Sequence, residues 1–391
     1  MTAYLIVGNG AAGTHAAEEI RKLDSQGSIT ILTNEDMPFY YRLRLNELVA
    51  GEAEDKQLLA KKESWYQDNG IDLQLNTRVV DADPNKKVLR TDAGREFHYD
   101  KLLLATGSHS FVPPITGADT YGVFTLRSIQ DARDIRNFAQ GVDEAVIIGG
   151  GLLGLESGNG LRKLGNEVTI VEFFPRLLPR QLDIDGGRRL QEIMEGMGFR
   201  FRLGHKTEAI QGEEQVEEVH LDDGERLAAQ MVVISAGVRP NMDLAKPLGL
   251  ETDKGIKVDE YLATSRTDVY AAGDVAQFKD VPYGIWPAAM EQGKFAGRNM
   301  AGEKAKYTGT TMATTLKVAG IDLASAGEID PENEYENIVQ STEQTYKKLV
   351  LDNNRIIGCI LLGDSSQFRS ITQMMNEGKD VSDIKDQILS S

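Results

Sequence analysis

The stretch Tyr4-Leu-Ile-Val-Gly8-Asn-Gly10-Ala-Ala-Gly13 decides the fold of the first part of this chain. Its apolar residues, typical of a buried strand, run directly into Gly-x-Gly-x-x-Gly, and a helical pattern follows through Ile20. In such a unit the first glycine allows a tight turn, the second lets the backbone approach a pyrophosphate, and the third packs helix against strand. The helix N-terminus then faces the negative charge of the ligand.

A second stretch repeats this pattern 141 residues later, as Ala145-Val-Ile-Ile-Gly149-Gly-Gly151-Leu-Leu-Gly154. One such motif is a weak signal, because glycine-rich turns occur in unrelated folds, but two of them predict two nucleotide-binding domains. A carboxylate is expected about 20 residues further on, where it accepts a hydrogen bond from the adenosine ribose of NAD. Glu172 ends the next strand, 23 residues after Gly149. It favours NADH over NADPH, because a carboxylate repels the 2′-phosphate.

The matching carboxylate of the first unit is less clear. The strand Ser28–Leu32 ends at Thr33, and Asn34 and Glu35 follow it. Two interpretations of Glu35 stay open. It reaches a ribose from the turn, or it is a solvated loop carboxylate.

The wider pattern predicts an α/β fold class with two Rossmann-like dinucleotide-binding domains, the second inserted in the first, plus a small α+β C-terminal domain. Apolar runs alternate with helical patterns up to about residue 240, which is typical of βαβ units and parallel sheets. Connections with proline and glycine lie at 111–117 and 237–241. Shorter strand-like runs follow, with Asp352-Asn353-Asn354 as a hairpin turn. The expected domain bounds are 1–111 with 239–308, 112–238, and 309–391.

Composition limits the classes of function. The 60 acidic residues exceed the 43 lysines and arginines, and the net charge of −17 argues against nucleic acid as the main partner. Cys359 is the one cysteine, which rules out an intramolecular disulfide, a CxxC pair and any cysteine-only metal or iron–sulfur site. The five histidines share no spacing typical of a metal site. Any redox chemistry therefore needs an organic cofactor.

The start of the chain, Met1-Thr-Ala-Tyr-Leu-Ile-Val7, has no basic region and predicts a buried strand rather than a signal peptide. No apolar run approaches the roughly 18 residues of a membrane span. We therefore expect no membrane span and a cytoplasmic location.

Three more segments carry a family resemblance. One strand ends in Ala105-Thr106-Gly107, a looser copy ends in Ala236-Gly237, and a third ends in Gly273-Asp274. With the two glycine motifs they resemble the FAD-dependent pyridine nucleotide–disulfide reductase superfamily. The branch most similar comprises NADH:rubredoxin and ferredoxin reductases and the flavin domain of assimilatory nitrite reductases. The resemblance covers essentially the whole chain and implies FAD at the first motif and NADH (NAD⁺) at the second.

The resemblance also implies roles for single residues. The Gly273-Asp274 pair would hold the ribityl chain, and Glu156 would lie near the nicotinamide. Residues 38–48 resemble a family segment beside the flavin, although Leu43 replaces its usual proline. Residues 284–293 resemble the start of a helix that points at the flavin ring, and 315–327 resemble the C-terminal interface domain. The predicted cofactor-binding residues are Gly8, Gly10, Ala11, Ala12, Gly13, Asn34, Glu35, Arg42, Arg44, Val79, Ala105, Thr106, Gly107, Gly149, Gly151, Leu152, Leu153, Gly154, Glu156, Glu172, Gly237, Gly273, Asp274, Trp286, Glu291 and Lys317.

Several of these residues have plainer interpretations. Arg42 and Arg44 contact the flavin, a phosphate or an acidic partner, or they lie at the surface. Trp286 is part core and part cofactor wall, and Lys317 is a flavin contact or a solvated strand residue. No catalytic side chain and no metal ligand is expected, because hydride transfer needs no acid or base.

The chain departs from the family in its missing thiol. Disulfide reductases carry CxxxxC, and peroxide- or oxygen-reducing relatives carry one cysteine, just beyond the first β-α-β unit, whereas residues 39–54 contain none. The resemblance therefore implies an FAD-dependent NADH:acceptor oxidoreductase without a redox-active cysteine. Hydride would pass from NADH to FAD, and single electrons would then pass to a rubredoxin, a ferredoxin or an iron–sulfur subunit. The oligomeric state is left open.

Two other functions remain alternatives. The chain is the flavin subunit of a larger metal or iron–sulfur complex, with NAD⁺ reduction as one direction, or it is an H2O2-forming NADH oxidase or an NADH sensor. An acidic carrier protein would need a basic patch on this acidic chain. The candidates are Arg42 with Arg44, and a second group formed by Arg176, Arg180, Arg188 and Arg189.

Overall fold

The computed structural model describes residues 1–310 and 313–389, which form two compact units. Unit one comprises Met1–Leu43, Asp55–His109 and 238–310, and unit two comprises Arg44–Glu54, Ser110–Gly237 and 313–389. The helices are α1 (Ala11–Leu23), α2 (Leu45–Val49), α3 (Asp55–Leu58), α4 (Glu63–Asp68), α5 (Ile129–Ala139), α6 (Leu152–Leu164), α7 (Ile184–Gly196), α8 (Ala245–Leu248), α9 (Trp286–Met300) and α10 (Phe368–Asn376).

The strands follow the chain in this order: β1 (Ala3–Val7), β2 (Ser28–Leu32), β3 (Ile71–Gln74), β4 (Val79–Asp83), β5 (Val88–Thr91), β6 (Glu96–His98), β7 (Lys101–Leu104), β8 (Ser108–Ser110), β9 (Val123–Thr125), β10 (Glu144–Ile148), β11 (Glu167–Glu172), β12 (Arg200–Leu203), β13 (Thr207–Gln211), β14 (Glu218–Leu221), β15 (Arg226–Ala228), β16 (Met231–Ile234), β17 (Val238–Pro240), β18 (Ile256–Val258), β19 (Val269–Ala271), β20 (Ala276–Phe278), β21 (Ala313–Val318), β22 (Ile321–Gly327), β23 (Glu336–Ser341), β24 (Tyr346–Asp352) and β25 (Arg355–Leu362).

The centre of unit one is a parallel sheet in the order β19-β7-β1-β2-β3. Strand β1 lies in the middle and is buried on both faces, which explains its unbroken apolar run. Val7 is level with Leu32 and with Leu104, so three strands end at the same edge of the sheet. This edge is where nucleotides bind in folds of this class.

Helix α9 packs closely on α1 in unit one. A Cβ atom on Gly293 would lie 2.3 Å from the carbonyl oxygen of Ala12, and one on Gly297 would lie 2.4 Å from that of Ala16. No larger residue fits at either position without moving a helix. The contact therefore fixes the start of α9 relative to the glycine motif that precedes α1.

Unit two contains a second parallel sheet, in the order β12-β11-β10-β16-β9, and a C-terminal antiparallel sheet, in the order β21-β22-β25-β24-β23. Helix α10 packs against β25 of the C-terminal sheet. The predicted hairpin turn is confirmed, because Asp352 pairs with Arg355 across Asn353 and Asn354. The predicted fold class is likewise confirmed.

A buried polar cluster connects the C-terminal sheet to α7. The Lys348 side chain is fully buried, and its Nζ lies 2.9 Å from Oδ2 of Asp183 and 2.8 Å from the carbonyl oxygen of Asp330. The Tyr346 hydroxyl donates to the same Asp183 oxygen at 2.7 Å. Asp183 also caps α7 by accepting a hydrogen bond from the N–H of Gly186. Burial and the Asp183 carboxylate raise the pKa of Tyr346 above its ordinary value.

The sequence predicted residues 44–54 within the first domain, and the predicted domain bounds stay a prediction. These residues lie in unit two, where the buried side chains of α2 belong to the same unit as α6. The reason is local: Gly160 of α6 has no side chain, and the Cγ1 atom of Val49 lies 3.1 Å from where its Cβ would be. Within the described residues, no helix is both long and apolar enough to cross a membrane.

Candidate functional site

The two glycine motifs adopt nearly the same geometry. Gly8 and Gly149 have φ values of +112° and +119°, and a Cβ on either would lie within 2.3 Å of a carbonyl oxygen of the neighbouring strand connection. Their N–H groups donate to Leu32 and Val171, each at 2.8 Å. Both positions therefore require glycine, for conformation and for space.

The second glycine of each motif borders open space that a ligand can occupy, whereas the first glycine borders protein atoms. A Cβ on Gly10 or on Gly151 would meet no protein atom within 4 Å. Neither α1 nor α6 has an acidic residue in its first turn, so no side chain of the first turn itself offsets the positive end of the helix dipole. This open space at a helix N-terminus fits the pyrophosphate of a dinucleotide.

Glu172 lies at the end of β11, next to the second motif, and is only 8% exposed. Its Oε2 atom accepts a hydrogen bond from the N–H of Gly150 at 2.5 Å, and its Oε1 atom accepts one from the N–H of Phe174 at 2.8 Å. The carboxylate is thus oriented by the backbone on both sides. The structure brings it together with the motif, as a ribose-binding acid requires.

A shallow pocket opens beside the first motif in unit one, lined by Asn9, Thr33, Glu35, Met37, Pro38, Phe39, Tyr40 and Arg42. Glu35 is half-buried in its wall and accepts hydrogen bonds from the Tyr40 hydroxyl and from Arg42. The Nδ2 atom of Asn9 is buried without a hydrogen-bond partner in the described residues. An unsatisfied donor beside an ion pair fits a polar ligand such as the adenosine part of FAD.

The Gly273-Asp274 turn lies between α1 and α9. The N–H of Gly273 donates to Oε1 of Gln292, a fully buried residue of α9, at 2.8 Å. Asp274 accepts a hydrogen bond from the Ser108 hydroxyl at 2.8 Å. The turn is therefore fixed by side chains on two other segments, with the half-buried Asp274 carboxylate at its end.

Asn241 fixes the Ala-Thr-Gly segment. Its side chain donates to the carbonyl oxygen of Thr106, its own carbonyl accepts from the Thr106 hydroxyl, and its N–H donates to Gly107, all at 2.8 to 2.9 Å. Ala105 is buried, and its carbonyl oxygen occupies the space that a side chain on Gly8 would need.

Aromatic rings surround the start of α9 in unit one. Trp286, the first residue of the helix, stacks on Phe39 with ring centroids 5.6 Å apart and an interplanar angle of 14°. Tyr41 lies beside it, with centroids 6.1 Å apart. Glu291, further along α9, accepts a hydrogen bond from the Thr310 hydroxyl at 2.6 Å.

Glu156 lies on α6 in unit two, and burial raises the pKa of its carboxyl group. Its Oε1 atom accepts a hydrogen bond from the N–H of Ala319, in the C-terminal sheet, at 2.7 Å. Leu152 and Leu153 precede it on the first turn of the helix and are half-buried.

Other predicted residues lie apart from these groups. Arg44 belongs to unit two, where it forms an ion pair with Glu47 at 2.6 Å, whereas Arg42 belongs to unit one. Lys317 is exposed on β21, with Asp322 at 3.9 Å. Val79 is a half-buried residue at the start of β4, and Asn34 and Gly237 are exposed. The roles of all these residues stay predictions.

The structure adds residues that sequence reasoning missed. Asn9, Asn241 and Gln292 hold the predicted segments in place, but each is a single amide side chain without a motif spacing of its own. His205 lies 3.3 Å from Asp222 and 3.5 Å from Asp223 in unit two. Because both carboxylates are exposed, this group is an ordinary surface cluster.

The chain matches known families over most of its length. The model of the pyridine nucleotide-disulphide oxidoreductases matches residues 2–293, and that of the rubredoxin NAD⁺ reductase C-terminal domain matches residues 313–379. The chain belongs to the pyridine nucleotide-disulphide oxidoreductase family. The expected cofactors, FAD and NADH, are those of this family, and the family consists of oxidoreductases.

Relatives within the family differ in length. The chain is 38% identical over 383 residues to a nitrite reductase [NAD(P)H] of Bacillus subtilis, a match that covers 97% of this chain and 48% of the relative. It is 35% identical over 389 residues to the assimilatory nitrate reductase electron transfer subunit of that species, covering 98% of this chain and 50% of the subunit. The chain thus spans about half the length of these relatives.

A third relative has nearly the same length. The NADH-rubredoxin oxidoreductase of Clostridium acetobutylicum is 32% identical over 384 residues, which covers 98% of this chain and 97% of the relative. The crystal structure of NADH:rubredoxin oxidoreductase from that organism matches the whole chain and 99% of its own, at 30% identity and a TM-score of 0.85.

Proposed function

We propose that this family member is an FAD-dependent NADH:acceptor oxidoreductase that gives single electrons to a rubredoxin-type or iron–sulfur protein without a redox-active cysteine. The chemistry that bound FAD supplies is acceptance of a hydride from NADH and release of its electrons one at a time. The residues of the chain bind and orient the two nucleotides.

This proposal rests on the burial of Cys359. The sequence contains no second cysteine, and Cys359 lies fully buried in β25 of the C-terminal sheet. Burial raises the pKa of its thiol to about 12. Because the thiolate is the reactive form, a thiol with this pKa is inert near neutral pH. The absence of a usable thiol supports direct transfer from flavin to acceptor.

The preference for NADH rests on Glu172 and on Arg176. A 2′-phosphate would meet the Glu172 carboxylate, and an arginine would be needed to offset the repulsion. Arg176 is the nearest arginine in sequence, but its guanidinium donates to the carbonyl oxygens of Leu182 and Pro179, at 3.2 and 3.3 Å. Two of its N–H groups are thus used to hold its own loop.

A second function is favoured by the lengths of the relatives. Two of them are nitrite or nitrate reductase components about twice as long as this chain. A flavin subunit that works with a separate metal-containing protein would have the same chemistry and a different acceptor. Copurification of another subunit at fixed stoichiometry would distinguish it from a freely acting reductase.

A stopped-flow experiment tests the proposal. The FAD-loaded protein is reduced with NADH without oxygen and mixed with air-saturated buffer, with ferricyanide, or with a rubredoxin or ferredoxin. We expect reoxidation to be much faster with the one-electron acceptors. Faster reoxidation by oxygen would favour an NADH oxidase, and a flavin that NADH does not reduce would favour the subunit alternative.

Cys359→Ala is the matched variant for the role of the thiol. Because Cys359 is buried among apolar side chains, alanine should be tolerated with a modest loss of stability. We expect this variant to transfer electrons at the unmodified rate. A loss of transfer in a folded variant that still binds FAD would contradict the proposal.

A further inference from the structure

The contact between Glu156 and Ala319 joins two parts of unit two that are far apart in sequence. Glu156 lies in the second turn of α6, directly after the second glycine motif. Ala319 belongs to the two-residue turn between β21 and β22, where Ala319 and Gly320 have φ values of +52° and +89°. The N–H of Ala319 donates to Oε1 of Glu156 at 2.7 Å.

The backbone N–H of Ala319 has no hydrogen-bond partner within the hairpin. Val318 pairs with Ile321, so Ala319 lies outside the ladder of the hairpin, and its N–H needs another partner. Turns of this type are usually solvated. Here Val318 is fully buried and Ala319 is 8% exposed, so the partner must come from the protein. That partner is the Oε1 atom of Glu156.

The carboxylate of Glu156 is held on one side only. Within the described residues, its Oε2 atom receives no hydrogen bond, whereas Oε1 is fixed by Ala319. The charged groups that act on it are Lys163, on the same helix, and Glu52, which forms an ion pair with Lys163 at 2.7 Å. In the part of the chain that the structure describes, neither Lys163 nor Glu52 donates a hydrogen bond to Oε2 of Glu156. Glu156 as a residue is half-buried, but its Oε2 atom is not among the buried side-chain atoms that lack a partner, so a ligand that supplies an N–H group can reach it.

We propose that the Ala319–Gly320 turn of the C-terminal sheet is a positioning element for NADH, which holds Oε1 of Glu156 so that Oε2 accepts the carboxamide N–H of the nicotinamide. This inference rests on the proposed function, because Glu156 is expected at the nicotinamide. It makes the C-terminal sheet part of the NADH site through one backbone hydrogen bond. Ala319 is a positioning residue that acts through Glu156.

The first test observes the Ala319 amide directly and requires no catalysis. The FAD-loaded protein is labelled with ¹⁵N-alanine, and the Ala319 resonance is assigned by its loss in Ala319→Gly. We expect this resonance to shift with pH as Glu156 titrates, with a midpoint above the usual range of a glutamate, because burial raises that pKa. We also expect it to shift when NAD⁺ is added. In Glu156→Gln the dependence on pH should disappear.

The second test removes the single N–H group. An ester in place of the amide between Val318 and Ala319 keeps every side chain, and an ester between Asp352 and Asn353 is the matched control in the other hairpin turn. We expect the first ester to slow flavin reduction by NADH about tenfold at saturation, a change of about 1.4 kcal/mol in the barrier. The NADH concentration that gives half of the maximal rate of flavin reduction should change by a smaller factor, because Glu172 holds the adenosine half of NADH.

The outcomes separate the inference from the proposed function. An Ala319 resonance that ignores both pH and NAD⁺ overturns the inference, as does an Ala319 ester that reduces its flavin as fast as the control ester. If the unmodified protein is not reduced by NADH, the proposed function fails, and the response of Ala319 to NAD⁺ then decides the inference alone.

Discussion

Gly10 and Gly13 lie three residues apart in one turn, yet their surroundings differ. A Cβ on Gly10 would meet no protein atom within 4 Å, whereas one on Gly13 would lie 2.0 Å from the carbonyl oxygen of Gly8. We expect Gly10→Ala to unfold at the unmodified temperature but to bind FAD weakly, because the new methyl group occupies ligand space. Gly13→Ala should lose about 1–3 kcal/mol of stability or more through overpacking.

Thermal unfolding of the cofactor-free protein and a fluorescence titration with FAD measure the two effects separately. Gly196→Ala, on the exposed end of α7, is the control: it should leave FAD binding unchanged and should not lower stability, because alanine favours a helix more than glycine does. A Gly10→Ala variant with unmodified affinity for FAD would contradict the assignment of the first motif.

Glu172 is the residue on which nucleotide selectivity depends. We expect Glu172→Ala to weaken NADH binding by about 1.5–3 kcal/mol, the range for a hydrogen bond to a charged group. The relative use of NADPH should improve, because the repulsion of a 2′-phosphate is removed. Steady-state kinetics with both nucleotides measure this. Glu167→Ala, at the exposed start of the same strand, is the control, and unchanged kinetics in Glu172→Ala would contradict the assignment.

At the scale of elements, the packing of α9 on α1 connects core and site. Gly297→Ala would place a methyl group 2.4 Å from the carbonyl oxygen of Ala16. We expect the helices to separate, with a loss of stability and weaker FAD binding, because α9 also carries Gln292, which fixes Gly273. Thermal unfolding and FAD titration measure both. The exposed Lys294→Ala on the same helix should change neither, and an unaffected Gly297→Ala would disprove tight packing.

The same elements show how far sequence reasoning reaches. The geometry of the two glycine motifs, the strand ends and the position of Glu172 were predictable, because the nucleotide binding proposed for them requires fixed residue types at fixed spacing. Gln292, Asn241 and Asn9 were not, since one amide side chain becomes meaningful only when a distant backbone group lies next to it. The pairing of Glu156 with Ala319 spans 163 residues, and no local pattern encodes it. The place of α2 in unit two depends likewise on the missing side chain of Gly160.

At the scale of the whole chain, the buried cluster around Lys348 connects the C-terminal sheet to α7. Removal of one member leaves an uncompensated buried charge, which typically costs about 3–5 kcal/mol. We expect Lys348→Met to lower the urea midpoint strongly, because the Asp183 carboxylate stays buried. Arg200→Met removes an exposed ion pair with Glu167 and is the control, for which about 0–1 kcal/mol is expected. Equal effects of the two variants would contradict this view.

The position of α2 also restricts how this protein can be recombined with its relatives. The chain enters unit two at Arg44, leaves it after Glu54 and returns at Ser110. A gene fragment for residues 110–237 alone would therefore encode an α6 that has lost Val49 from its contact with Gly160. A chimaera joined near residue 111 would combine α2 from one parent with α6 from the other. An exchange of the second nucleotide-binding half must transplant residues 44–54 with it.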